Sequence, residues 1–189
     1  MSTFTLNPSQ TILLIVDMQE KIFNTIDRGA DILQTICKLI RGFQILELPI
    51  LISEQYPQGL GETILPLKQS LGHLYQPWIK TSFSCLDNPN FFNHLISVPQ
   101  NQWIVVGIEA HICILQTVKS LLQAGKQVTV LNDAISSRSI YDFSTAIAEM
   151  RDAGARISCV ETILFELIKD SNHSKFKSIS DLIKVCCQC

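Results

Sequence analysis

Hydrophobic positions along this chain follow two periods in alternation, and the switches between them divide it into strand and helix units. Residues 11–16 (TILLIV) form an unbroken apolar run ending on Asp17, as expected of a strand buried on both faces. Over residues 29–46, Ile32, Leu33, Ile36, Leu39, Ile40 and Phe43 recur at helical spacing, and residues 49–53 (PILIS) read as a second strand. The following EQYPQGLGET is rich in Gly and Pro and predicts a loop. Residues 75–79 predict a short strand leading into Lys80, and NPNFFNHLI (88–96) a helix with Pro89 in its first turn. Further strands are predicted at 103–106, 126–131 and 156–160, with helices at 114–122, 140–151 and 162–168. Ser136 or Ser137 is positioned to cap the helix over 140–151. Strands alternating with helices throughout imply an α/β fold, a parallel sheet covered by helices on both faces.

Composition narrows this picture. The 189 residues, 47% hydrophobic and 17% charged, suit a single domain over 1–189, with a core at about 11–168 and a C-terminal tail at about 169–189. A formal net charge of −2 carries no basic footprint for nucleic acid. No apolar run reaches the roughly 18 residues of a membrane span, and MSTFTLNPSQ lacks the pattern of a secretory signal. The expectation is a soluble, cytoplasmic protein without nucleic-acid or membrane partners. Seven cysteines, odd in number and without disulfide or metal rhythm, read as reduced thiols.

Chemistry concentrates at three strand ends. A carboxylate closing a buried strand is costly unless paired or used, and ligands of open parallel sheets bind at the strands' carboxyl edge. Asp17 is therefore a functional candidate or a strand-end cap. Lys80 ends a third strand, either as a snorkelling surface residue or as part of a site. Cys113 stands where the strand over 103–106 gives way to a helix, after the break at Gly107. Helix N-terminal amides there favour thiolate over thiol; the other reading is a buried structural cysteine. In a right-handed parallel sheet the three ends converge on one edge.

These pieces resemble the isochorismatase-like cysteine hydrolases, which include nicotinamidases, N-carbamoylsarcosine amidohydrolases and isochorismatases. The matching motifs are LLIVDMQ with Asp17 and Gln19, KTSFS with Lys80 and Phe83, VVGIEAHICILQT with Cys113, VLNDAISSR, and RDAGARISCVETILFEL. They run from about residue 11 to 167, and SEQYPQGLG is most similar to the small isochorismatase-domain hydrolases. The resemblance implies a doubly wound three-layer α/β/α fold with a six-stranded, mostly parallel sheet in the order 3-2-1-4-5-6. It implies hydrolysis of a small amide or related C–N bond, with Cys113 as nucleophile, Asp17 as acid and base and Lys80 as electrostatic support. It also implies a non-proline cis peptide at Ile108–Glu109 and an oxyanion hole of the Glu109 and Cys113 backbone N–H groups. A small-molecule substrate, no cofactor and homo-oligomeric assembly follow from the same likeness.

Departures from the family pattern matter too. SEQYPQGLG contains no histidine or aspartate, which disfavours the nicotinamidase metal, so no metal ligand is assigned. Cys113 argues against the vinyl-ether hydrolysis that some isochorismatases perform with the aspartate alone. Gln19, Phe23, Tyr56, Trp78, Phe83 and His111 are expected to line the pocket, although each aromatic would serve equally in the core. Cys186, Cys187 and Cys189 in the terminal KVCCQC read as exposed, oxidisable tail thiols; three ligands do not close a zinc site. A catalytically idle scaffold of the same fold is the other class in play. A nucleotide-binding reading is poor, because DMQEKIF stands where a glycine-rich phosphate loop belongs.

Overall fold

A computed structural model describes residues 4–184; Cys186, Cys187 and Cys189 lie outside the described residues. The elements in order are β1 (Thr11–Val16), α1 (Glu20–Phe23), α2 (Gly29–Ile45), β2 (Ile50–Gln55), α3 (Pro57–Leu60), α4 (Leu65–Leu71) and β3 (Trp78–Lys80). There follow α5 (Pro89–Ser97), β4 (Gln102–Ile108), α6 (Leu115–Gln123), β5 (Gln127–Ser136), α7 (Ile140–Asp152), β6 (Arg156–Ser158), α8 (Val160–Ile168) and α9 (Phe176–Lys184). The six strands form one sheet in the order β3-β2-β1-β4-β5-β6. Every pairing is parallel, where a mostly parallel sheet was expected.

The unbroken apolar runs occupy the centre, and every residue of β1 and β4 is buried. Crossovers from β1 to β2 and from β4 to β5 run in opposite directions, so right-handed connections put α2 and α6 on opposite faces. The buried stripe of α2, Ile32, Ile36, Leu39, Ile40 and Phe43, packs on the sheet and on α4, α8 and α9. A Cβ on Gly42 would come within 2.6 Å of Leu164, so α2 and α8 approach as closely as they do because position 42 has no side chain. Helix α5 starts where Asn88 Oδ1 accepts from the Asn90 and Phe91 N–H groups, ahead of Pro89.

Two sequence expectations are corrected. Ser139, not Ser136 or Ser137, caps α7, accepting from the Tyr141 N–H at 3.1 Å. The reason is that β5 runs on to Ser136, which leaves the cap to the last polar residue of the connection. The tail expected from residue 169 contains α9, whose Ile179 is fully buried and which packs on α2 and α8. Its apolar residues Phe176, Ile179, Leu182 and Ile183 share one face, a stripe too short to stand out beside long polar flanks. No helix among the described residues is long and apolar enough to cross a membrane.

Candidate active site

The strand order reverses between β1 and β4, and the crevice at their carboxyl ends is where this fold binds ligands. Asp17, the first residue past β1, has φ 52, a left-handed conformation that aspartate tolerates better than most residues. Beside it, Gly107 at φ 117 lets β4 pass so close that a Cβ would fall 2.1 Å from the Val16 carbonyl. The Asp17 side chain is fully buried. Its Oδ1 accepts from the Ser53 hydroxyl at 2.7 Å and its Oδ2 from the Lys80 ammonium at 2.6 Å.

Lys80 closes β3 with 3% of its surface exposed. Its Nζ also donates to Gln55 Oε1 at 2.8 Å and lies 3.3 Å from the carbonyls of Ser82 and Phe83. Burial pulls the ammonium toward neutrality, but the Asp17 carboxylate outweighs it and holds Lys80 above its ordinary value. Lys80 is therefore a cation at neutral pH, and its snorkelling reading falls away.

Cys113 lies in a π-helical turn (Ala110–Ile114) and is 7% exposed. Burial, followed by the nearby Asp17 charge, pushes its thiol well above the ordinary cysteine range, against the pull of Lys80. The position at the strand–helix junction favours a thiolate, and burial with the Asp17 charge works against it. Helix α6 begins only at Leu115, so Cys113 sits inside the π-helical turn, two residues ahead of the helix. The resting site sets the Cys113 thiol beside a carboxylate whose two oxygens accept from the Ser53 hydroxyl and the Lys80 ammonium.

The peptide bond Ile108–Glu109 is cis. The Glu109 carbonyl accepts from the N–H groups of Ile112 and Ile114, both at 3.2 Å, the residues flanking Cys113. Its side chain pairs with Arg138 Nε at 2.8 Å, which ties the turn to the end of β5. His111 Nδ1 meets the Ser137 hydroxyl at 2.9 Å, and its Nε2 lies 3.9 Å from Asp142. Those contacts make His111 a tether of the same turn.

The remaining expected pocket residues scatter. Gln19 is fully buried and acts as a clamp rather than a pocket wall. Its Nε2 donates to the carbonyls of Gln55 (2.9 Å) and Gly61 (2.6 Å), and its Oε1 accepts from the Gln55 N–H (2.7 Å). Trp78 does stay beside the site: it is edge-on to Phe91 at 5.7 Å and beside His94 at 5.0 Å, and it lines a small cavity with Ser53, Lys80 and Cys85. Phe23 is half-buried and covers Gly29. Tyr56 and Phe83 are 52% and 53% exposed at the edge where β2 and β3 end. Three residues were missed: Ser53, Gln55 and Cys85. Their signal was available for two of them, since SEQ (53–55) is a polar triplet at the end of a buried strand, where period-two alternation turns 53 and 55 to one face. Among the described residues no three His, Cys, Asp or Glu side chains are grouped to hold a metal ion.

The model of the isochorismatase domain matches residues 11–162, a span containing Asp17, Lys80 and Cys113. The chain belongs to the isochorismatase family. Isochorismatase domain-containing protein 2 of Macaca fascicularis is 42% identical over 178 residues, covering 94% of this chain and 84% of its own. The structure of the MAR1 ribonuclease from Caenorhabditis elegans matches with a TM-score of 0.89 at 38% identity, covering 96% of this chain and 93% of that one. The YcaC gene product from Escherichia coli, described as an octameric hydrolase of unknown specificity, matches with a TM-score of 0.89 at 18% identity, over 97% and 91% of the two chains. The last is a likeness of fold, and the fold of this isochorismatase-family chain is that of the family's hydrolases.

Proposed function

We propose that this isochorismatase-family protein is a cysteine hydrolase that cleaves a small amide or related C–N bond without a cofactor. The observation that carries the reading is the convergence of the Cys113 thiol and the Lys80 ammonium on one buried carboxylate, Asp17. As Sγ of Cys113 bonds to the substrate carbonyl carbon, the thiol proton passes to Asp17. Charge develops on the carbonyl oxygen, which the N–H groups of Glu109 and Cys113 are suited to receive. Asp17 then protonates the departing nitrogen as the C–N bond breaks, leaving a thioester on Cys113. Water adds to the thioester while giving a proton to Asp17, and collapse restores the thiol, so amide and water become carboxylic acid and amine. Lys80 remains an ammonium throughout and keeps Asp17 ionised between proton transfers.

A neutral thiol with an adjacent carboxylate suits general-base attack rather than a standing thiolate. Near-complete burial of all three groups supports a small substrate. A net charge of −2 gives no electrostatic attraction to the RNA that the name of the C. elegans relative implies. The free thiols of Cys85, Cys113 and Cys159 suit a reducing compartment such as the cytoplasm. Self-association, described for the E. coli relative as an octamer, is carried here as part of the same reading.

The test pairs site-resolved mass spectrometry of wild type and Cys113→Ala, after brief exposure to acrylamide, with ammonia release from an amide panel and cleavage of a labelled RNA. An adduct on Cys113, slowed in Lys80→Ala, with at least one amide cleaved by wild type alone, is the expected result. Silence at Cys113 with no amide cleaved would move the assignment to an idle scaffold or to cysteine-independent chemistry at Asp17. Cys113-dependent RNA cleavage would replace the substrate class.

A further inference from the structure

Behind the three reacting groups lies a second set of buried contacts that the proposed chemistry does not use. Ser53 in β2 is 1% exposed, and its hydroxyl has a single proton, donated to Asp17 Oδ1 at 2.7 Å. The same hydroxyl oxygen accepts from the Cys85 thiol at 3.6 Å. Cys85 is also 1% exposed, and its backbone N–H donates to Thr117 Oγ1 of α6 at 3.0 Å, one helical turn beyond Cys113. Burial, then the nearby Asp17 carboxylate, pushes its thiol up to about 11, so at neutral pH it is a donor. A hydroxyl that receives a proton from one side turns its own proton to the other. The chain of donors therefore runs one way, from Cys85 through Ser53 to Asp17.

We propose that Ser53, oriented by Cys85, is a positioning residue that sets how strongly Asp17 competes for the Cys113 proton. This inference rests on the assignment of Cys113 as nucleophile and Asp17 as its base. With Lys80 on Oδ2 and Ser53 on Oδ1, neither carboxylate oxygen can rotate away from the thiol without losing a charge-assisted bond. Each donor also stabilises the anion relative to its protonated form. Ser53 thus spends some of the carboxylate's basicity to keep it ionised and aimed in a buried site. Cys85 is by this reading no second nucleophile. The titratable groups facing Asp17 are Lys80 from β3, Cys85 from the turn after it and Cys113 from the π turn. Glu54, the neighbour of Ser53, bonds instead to the Thr63 N–H and hydroxyl and to the Tyr75 hydroxyl.

The experiment follows alkylation of Cys113 by iodoacetamide across acid to neutral pH, read on the Cys113 peptide by mass spectrometry. In this reaction the S–C bond forms, iodide leaves and the thiol proton passes to Asp17. Rates fall on the acid side where the carboxylate is already protonated. Ser53→Ala is expected to move that acid-side midpoint up by about one pH unit, a tenfold change equal to about 1.4 kcal/mol, while Ser53→Thr, which keeps the hydroxyl, retains the wild-type midpoint. Cys85→Ala is expected to move it the same way by less, and to add nothing in the Ser53→Ala background, because both act through one hydroxyl. A uniform loss of rate with an unmoved midpoint, or a Thr variant that behaves like the Ala variant, would reduce Ser53 to a packing residue and overturn the inference while leaving the hydrolase reading intact. Absence of any acid-side fall in the wild type would overturn both together.

Discussion

Replacing Lys80 by methionine keeps a side chain of similar length in place and removes only its charge and its hydrogen bonds, which isolates the buried ion pair. At 2.6 Å the attraction between unit charges is about 6 kcal/mol at an effective dielectric constant of about 20, and desolvation of both groups offsets much of it. In Lys80→Met the Asp17 carboxylate is left among Ser53 and Cys113, uncompensated and fully buried. It has two routes. Remaining charged costs about 3–5 kcal/mol, the usual penalty for removing one partner of a buried pair. Taking up a proton costs an ordinary carboxylate about 4 kcal/mol at neutral pH. The variant is therefore expected to lose about 3–4 kcal/mol, a large part of the 5–15 kcal/mol typical of a domain but not all of it. Once the proton route is the cheaper, the loss shrinks by about 1.4 kcal/mol for each pH unit of acidification. Urea unfolding of wild type, Lys80→Met, Asp17→Asn and the double variant at a series of pH values measures this directly. The double variant should be more stable than the sum of the single losses, because no lone charge is left behind. Additive losses that do not change with pH would refute the account of a charged pair at the centre of this site.

Two further outcomes follow from neighbouring geometry. Gly107→Ala puts a methyl 2.1 Å from the Val16 carbonyl at φ 117, which should cost more than about 3 kcal/mol from overpacking and backbone strain combined. It should also slow Cys113 alkylation by moving Asp17, and a variant that melts like wild type would show that β1 and β4 do not approach so closely. The Cys85 thiol, raised from 9.0 to about 11, holds its proton in the folded state after the unfolded chain has lost it. Its share of stability is thus complete below about pH 9 and lost as pH rises toward about 11, by about 3 kcal/mol. Lys80 acts in the same direction at higher pH, so the comparison is between wild type and Cys85→Ala, whose stability should fall less steeply across that window. Equal slopes would mean that water reaches the thiol.

Much of the architecture was legible before any coordinates. The runs TILLIV and WIVV could satisfy their apolar side chains only as strands covered on both faces, and helices of period 3.6 between them left few topologies other than a doubly wound sheet. Asp17, Lys80 and Cys113 stood out because a polar residue ending a buried strand needs a partner or a use. Helix α9 and the clamp made by Gln19 did not stand out. The four apolar residues of α9 follow the polar run 170–175 and read as part of a tail, and a buried glutamine looks the same in sequence whether it meets a ligand or the backbone of Gln55 and Gly61.

What the chain determined by itself were the properties set by local periodicity: which segments are strands, which are helices, and which polar residues fall at strand ends. The protonation state of Cys113 was not among them, nor were the cap of α7, the part played by Trp78 and the presence of Ser53 and Cys85 behind Asp17. Those were decided only in the folded molecule. Dielectric environment and hydrogen-bond partners arise from residues as far apart as 17, 53, 80, 85 and 113, and burial and nearby charge oppose the thiolate that helix position alone favours at Cys113.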